Sequence, residues 1–248
     1  MKLRFRIKLA LLPAVCLLIA TAGCDDKKNP DPVVHEMGVM TDIDNNTYTT
    51  VKIGNQWWMA ENLKVTKYRN GMPIPEITDS TDWVNQSTGA WCRYENGTGQ
   101  VIPEGLLYNG MAVTNPNLLA PEGWHIPTDE EWKTLEMELG MTQQQANGLT
   151  WRGNTEGDKM KSTGANEWNV IDGNLPDNES GFTALAESCR LFNSEWGAPG
   201  LRYTGFWWTA SPYGTEEAWY RHLDYKNTNV FRSHANNHYG FSIRCVKD

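Results

Sequence analysis

The sequence predicts an α+β fold: short antiparallel strands at both ends of a domain, with one or two helices between them and long loops. Three observations carry this. In "TYTTVKIGNQWWMAENL", β-branched and aromatic residues flank Gly54 and Asn55, a dipeptide suited to a two-residue hairpin loop. In "GWHIPTDEEWKTLEMELG", residues 123–140, a helix start, an apolar stripe and a helix stop follow in order. Late in the chain, "GFWWTAS", "AWYRHLD", "TNVFRS" and "YGFSIRCVKD" are short aromatic or β-branched runs separated by Gly, Pro and Asn turns. Helices in the middle with strands on either side make an α+β pattern.

Residues 1–23 read as an address. A basic head (Lys2, Arg4, Arg6, Lys8) leads into the apolar run "LALLPAVCLLIA" and the small residues "TAG", the layout of a secretory signal. The run is shorter than the ~20 residues a spanning helix needs, and Pro13 interrupts it. Cys24 after "AG" resembles the lipobox of bacterial lipoproteins, which implies lipidation of Cys24 and a membrane anchor; Thr21 departs from the usual leucine of that motif. Residues 24–38, with "DDKKNPDPVVHE", read as a polar tether. The acidic pair Asp25 and Asp26 resembles a surface-export signal, so the expectation is a lipid-anchored protein of the bacterial envelope, at the outer membrane and facing outwards. Residues 39–248 then form a single domain. The chain carries a net charge of −8, and loss of the four basic residues of the leader makes it −12. So acidic a domain repels phosphate backbones, which excludes nucleic acid as a partner. Twelve tryptophans and 40% hydrophobic residues supply a core despite a mean hydropathy of −0.57.

Ahead of the hairpin, "TDIDNN" sets Asp42, Asp44 and Asn46 at the spacing that opens an EF-hand loop. Thr47 and Ile53 stand where that loop needs glycine and glutamate, and the calcium-loop reading fails. In the helix segment, Thr128 and Glu131 form a capping box. Asp129 and Glu130 complement the helix dipole, Trp132, Leu135 and Leu139 make one stripe, and Gly140 ends the helix. Helix construction accounts for every carboxylate of its start. His125 reads as a packed, hydrogen-bonded residue. Thr142 with Gln145 predicts a second short helix. In the last segment Phe241, Ile243 and Cys245 alternate with Ser242, Arg244 and Val246, as in a strand with one apolar face.

"TVKIGNQWWMAENL", "GWHIPTDEEW", "ESGFTAL", "FWWTASP", "AWYRHLD" and "GFSIRCVKD", in this order, resemble the Fibrobacter succinogenes major paralogous domain over residues 40–248. The resemblance implies a secreted or lipid-anchored surface protein without an established activity. Its C-terminal pattern is similar to the ending of C-type-lectin-like domains. That implies a C-type-lectin-like fold, with terminal strands paired and a long loop region presenting a ligand surface. The "EPN", "QPD" and "WND" triplets of calcium-dependent lectins are missing. The nearest approach is "LPDNES", where Asp172, Asn174, Asp177 and Glu179 offer oxygen ligands for calcium; a turn-forming acidic loop is the alternative. No nucleophile elbow, HExxH or P-loop is present, nor the reactive cysteine pair of formylglycine generation, and the chain is expected not to be an enzyme.

With Cys24 lipidated, Cys92, Cys189 and Cys245 remain. An envelope location permits a disulfide, with Cys189 and Cys245 the candidate pair and three buried thiols the alternative. Two functions from different classes fit. One is a binding module for glycan, with Trp196, Tyr203, Tyr213, Arg232, His234, Asn236 and His238 as contacts, because they lie in late, loop-like stretches. The other is a structural or adhesive subunit that binds envelope proteins. At "WW" 57–58 and 207–208, one ring of each pair must point to the opposite strand face, towards a ligand or under a loop.

Overall fold

The computed structural model describes residues 34–94, 105–164, 167–169, 175–193, 195–197 and 200–248. Cys24 and most of the tether lie outside them, as do Asp172 and Asn174. The first three strands, β1 (Met37–Thr41), β2 (Thr47–Ile53) and β3 (Gln56–Met59), form an antiparallel meander. Gly54 takes φ 57° at the β2–β3 loop, where Ile53 pairs with Gln56, so the expected hairpin is present. β1 already pairs at Met37, so the last two residues assigned to the tether are strand.

The middle of the chain holds α1 (Ser80–Val84), β4 (Trp91–Cys92), β5 (Leu107–Asn109), α2 (Gly110–Val113) and β6 (Trp124–His125). After these come α3 (Asp129–Glu138), α4 (Gln143–Asn147), β7 (Thr150–Arg152) and α5 (Glu156–Met160). Both predicted capping boxes exist, Thr128 with Glu131 and Thr142 with Gln145. The chain closes with β8 (Thr204–Tyr213), β9 (Glu217–Asp224), β10 (Val230–Asn236), β11 (Gly240–Phe241) and β12 (Val246–Lys247). The result is a β-rich α+β domain with three antiparallel sheets, ordered β1-β2-β3-β12-β6, β7-β10-β9-β8 and β11-β5-β4. The last strand thus joins the sheet of the first three, between β3 and β6.

Alternation along two strands feeds two cores. Trp58 and Trp207 enter one with Trp132, Leu135 and Phe182, whereas Met59 and Trp208 enter the other with Tyr48, Tyr108, Phe241 and Ile243. In the first, the Trp58, Trp132 and Phe182 rings meet at 5.1 to 5.8 Å. Trp58, Trp207 and Trp208 are all buried, and Trp57 is half-buried against the second core, so the second ring of each pair packs rather than meets a ligand.

Three expectations are corrected. Residues 240–247 are not one strand with a polar face: β11 and β12 are separate, and Ser242 and Arg244 are as buried as Phe241 and Ile243, because the segment runs between the two cores. The Cys189–Cys245 disulfide is not formed. Both are buried free thiols with different surroundings: Cys189 lies against Gly197, and Cys245 has its amide on Met59 Sδ at 3.3 Å. Burial pushes the Cys189 thiol up to about 12 and Cys245 higher, so neither is a thiolate at neutral pH. Finally, the carboxylates of α3 do more than build a helix, because Asp129 and Glu136 are buried and gather arginines from the second sheet.

Candidate functional site

β9 and β10 each carry one arginine, and both point towards the same face. Arg221 lies opposite Arg232, and both guanidiniums turn onto α3. Arg232 makes a two-point contact with Asp129, Nε to Oδ1 at 2.9 Å and Nη2 to Oδ2 at 2.7 Å. Arg221 bridges Asp129 and Glu136 at 2.8 and 2.6 Å, and Arg152 donates to Glu136 at 2.6 Å. Burial alone would raise the Asp129 carboxyl, but hydrogen bonds and charge from Arg232 and Arg221 hold it well below the carboxylate range. With Trp207, Leu223 and Val230 beside them, these residues fill the covered face of the sheet.

The opposite face is apolar too: Trp208, Ala218 and Ala235 on it are buried, and Phe206 and Tyr220 pack against the second core. Along it stand Phe206 on β8, Tyr220 and His222 on β9, Phe231 on β10 and Trp151 on β7, all half-buried. Their rings are in contact. Trp151 meets Phe231 at 5.1 Å and His222 at 5.2 Å, and His222 stacks on Phe206 at 4.2 Å with the planes 9° apart. Phe206 stacks on Phe241 at 5.2 Å, and the row continues through Tyr239 to the exposed Phe192. Burial lowers His222 to about 3, so it is a neutral ring at physiological pH.

At the Phe192 end the belt opens into a groove of about 390 Å³. Phe206, Tyr220, Tyr239, Phe241 and Leu191 form its apolar walls, with Cys189 and Ala235 beside them. Glu217, His234 and Asn236 border it, but strand alternation turns the Glu217 and His234 side chains to the arginine face, where His234 meets Trp219 and Tyr213. Glu217 Oε2 and His234 Nδ1 lie 2.5 Å apart and satisfy one another. Burial pushes the Tyr220 hydroxyl up to about 12 and raises Tyr239 as well, so both stay protonated and can donate.

The residues singled out by sequence fall in several places. His234 and Asn236 border the groove, and the exposed Tyr213 stacks on His234 at 3.6 Å. Arg232 faces the other way, into the ion-pair cluster and under Trp219 at 3.8 Å. Trp196 packs on Tyr94 and Arg190 in a third apolar cluster, and Tyr203 packs on Tyr225. His238 is held by Asn236 and the Gln86 carbonyl. Of the proposed calcium ligands, Asp177 accepts the Glu179 amide and Glu179 pairs with Lys159 at 3.3 Å. Among the described residues no cluster of three His, Cys, Asp or Glu side chains can hold a metal ion, and Asp172 and Asn174 of that loop lie outside the described residues. Phe206, Tyr220, His222 and Phe231 were missed. Their signal was present in "AWYRHLD" and "NVFRS", where each arginine alternates with an aromatic residue.

The described residues contain no helix long and apolar enough to cross a membrane. No curated protein and no solved structure gives a significant match to the chain. The profile of the Fibrobacter succinogenes major domain (Fib_succ_major) matches residues 51–247, from β2 to β12, which takes in every strand of the belt and its groove. The chain belongs to the Fibrobacter succinogenes major domain family.

Proposed function

We propose that this protein is a lipid-anchored binding module of the bacterial envelope, without catalytic activity, whose aromatic sheet face takes glycan. The observation that supports the reading is the belt itself: five contiguous, partly buried rings carry the apolar face of the sheet from its core out to the exposed Phe192. Protonated tyrosine hydroxyls line the groove at one end, as a ligand with apolar faces and many hydroxyls requires. The leader and Cys24 support placement of the domain at the outer membrane, on the surface. The C-type-lectin-like assignment draws support from the last strand, which shares a sheet with the first three. The second reading, contact with another envelope protein, draws on the same apolar area.

The test is binding of the purified chain to a broad glycan panel, with calcium and then with chelator. Tyr220→Ala and Phe231→Ala should each weaken binding by up to about tenfold, since stacking contacts contribute roughly 0.5–1.5 kcal/mol. Binding should survive chelation, because the belt needs no metal. A folded chain that binds no glycan would remove this reading and leave the protein partner.

A further inference from the structure

We infer that a second site, apart from the aromatic belt, takes a neutral sugar ring in the cavity between α1, α2 and the turns that follow β8 and β10. The cavity measures about 380 Å³, within the roughly 300–1,000 Å³ of small-ligand pockets. It shares no lining residue with the groove at Phe192, so it stands or falls independently of the belt. One turn, Asn237 and His238, ties its walls together. The Asn237 amide donates to Glu216 O at 2.8 Å and its carbonyl accepts from Gly110 N at 2.7 Å, which fixes the β8–β9 turn and the start of α2. The Trp83 indole donates to His238 O at 2.8 Å, and the His238 ring meets Gln86 O at 3.0 Å, which fixes the end of α1 and the loop after it. The cavity is therefore preformed, and binding orders little chain.

The lining sets the chemistry of the ligand. Val84 and Met111 give it two apolar side chains, and Ser87 and Thr215 two hydroxyls. Asn85 uses its amide nitrogen on Thr81 O and Gln86 its amide oxygen on the Thr88 hydroxyl, which leaves an acceptor on one and a donor on the other. Donors and acceptors mixed beside apolar carbon suit a ring with hydroxyls on its edge and C–H groups on its faces. His238 has both ring nitrogens engaged, on Asn236 and the Gln86 carbonyl, and serves as wall. Glu216 is the only carboxylate of the lining, no lysine or arginine stands there, and the chain carries −8, so an anionic ligand is repelled. Asn237 points to the same site on separate grounds. Its side chain lies against Gly110, with Oδ1 buried and without a hydrogen-bond partner, and no residue of the aromatic groove carries such an atom. A buried acceptor left unpaired opposes folding. Turning this amide about its last side-chain bond loses no hydrogen bond at Oδ1 and brings it to a hydroxyl of the bound ring.

The experiment is a nuclear magnetic resonance titration of the purified chain with glucose, galactose and N-acetylglucosamine, and with glucuronate as the anionic counterpart, following the side-chain amide signals of Asn85, Gln86 and Asn237. A neutral ring should shift the three signals together, and glucuronate should bind several times more weakly. Asn237→Ala should lower the affinity by up to about tenfold, as loss of one hydrogen bond does. Its melting temperature should hold or rise, because the change removes a buried, unpaired acceptor. Ser87→Trp, a change at an exposed position, should fill the cavity and abolish the shifts. An Asn237→Ala chain that melts well below the parent would mark Asn237 as structural and overturn its role as a contact. Shifts that spare these amides, or that survive Ser87→Trp, would put the sugar elsewhere and overturn the site. Glucuronate bound as tightly as the neutral rings would overturn the charge assignment. No shift with any of the sugars would overturn the inference and leave the belt reading untouched.

Discussion

His125 stands between two carboxylates, with Nδ1 2.6 Å from Asp248 and Nε2 2.7 Å from Glu131. A neutral imidazole donates from only one nitrogen, so both contacts are complete only in the charged form. Burial opposes that charge, but the hydrogen bonds to Asp248 and Glu131 prevail and raise the histidine above its ordinary value. A group with a raised folded-state pKa stabilises fully below the unfolded value, about 6.5, and the contribution fades as pH rises through the folded value. Glu131 is held below its ordinary value despite burial, by Thr128 and His125, so its contribution fades only when pH falls through that lowered value. The clamp is thus complete in mildly acid solution and weakens above neutrality. Chemical denaturation between pH 6 and 9 should show native stability falling with pH, with a flatter profile for His125→Gln. The site is partly exposed, so the difference should not exceed about 1 kcal/mol. Equal slopes for the two chains would contradict the clamp.

Among the elements, α5 shows how far a tertiary contact reverses an intrinsic propensity. Replacing glycine by alanine inside a helix ordinarily gains roughly 0.5–1 kcal/mol. At Gly157 a Cβ would come 2.4 Å from the Asn229 carbonyl oxygen and 2.8 Å from that of Thr228, and both are backbone atoms. The helix docks on the β9–β10 connection through this close approach, with the Asp158 amide donating to Thr228 O at 3.1 Å. Gly157→Ala should therefore destabilise by about 1–3 kcal/mol in urea. A gain in stability would mean that the connection moves aside freely. The second sheet obeys the same logic: β-propensity specified that β9 and β10 are strands, but α3 decided which face they cover.

Across the whole molecule, Arg244 joins segments far apart in sequence. It is fully buried and donates to Asn62 Oδ1, Met59 O, Phe182 O and Thr183 O at 2.5 to 3.1 Å, with its plane over the Phe182 ring. Burial pushes its guanidinium down to about 9, so it is still charged at neutral pH. Arg244→Met keeps the apolar stem but removes the donor to the Met59, Phe182 and Thr183 carbonyls, at about 1–3 kcal/mol for each left unpaired before relaxation, while Asn62 Oδ1 keeps the Trp207 indole N–H at 3.0 Å. Unfolding monitored by tryptophan fluorescence should show a loss on the order of 3–5 kcal/mol, since truncating a buried charged centre typically costs that much. A loss under about 1 kcal/mol would mean that water satisfies those carbonyls.

The sequence by itself determined the local features, because their causes are local. A two-residue turn at Gly54 and Asn55, capping boxes at Thr128 and Thr142, the stop at Gly140 and the late strand runs all follow from interactions within a few residues. So did the family, through ordered short motifs. The tertiary structure decided what period-two alternation leaves open, namely which face of β9 and β10 is covered. "AWYRHLD" and "NVFRS" alternate arginine with aromatic residues, and a reading by polarity turns the arginines to solvent and the rings inwards. Asp129 and Glu136 on α3 reverse that choice. Two buried carboxylates stabilise Arg221, Arg232 and Arg152 on one face, and the aromatic residues of the same strands are left to form the other, which packs in part on the second core. Asp129 is 92 residues from Arg221 and 103 from Arg232. No pattern within a strand encodes a partner so distant, and it is that partner which decides which face takes the arginines.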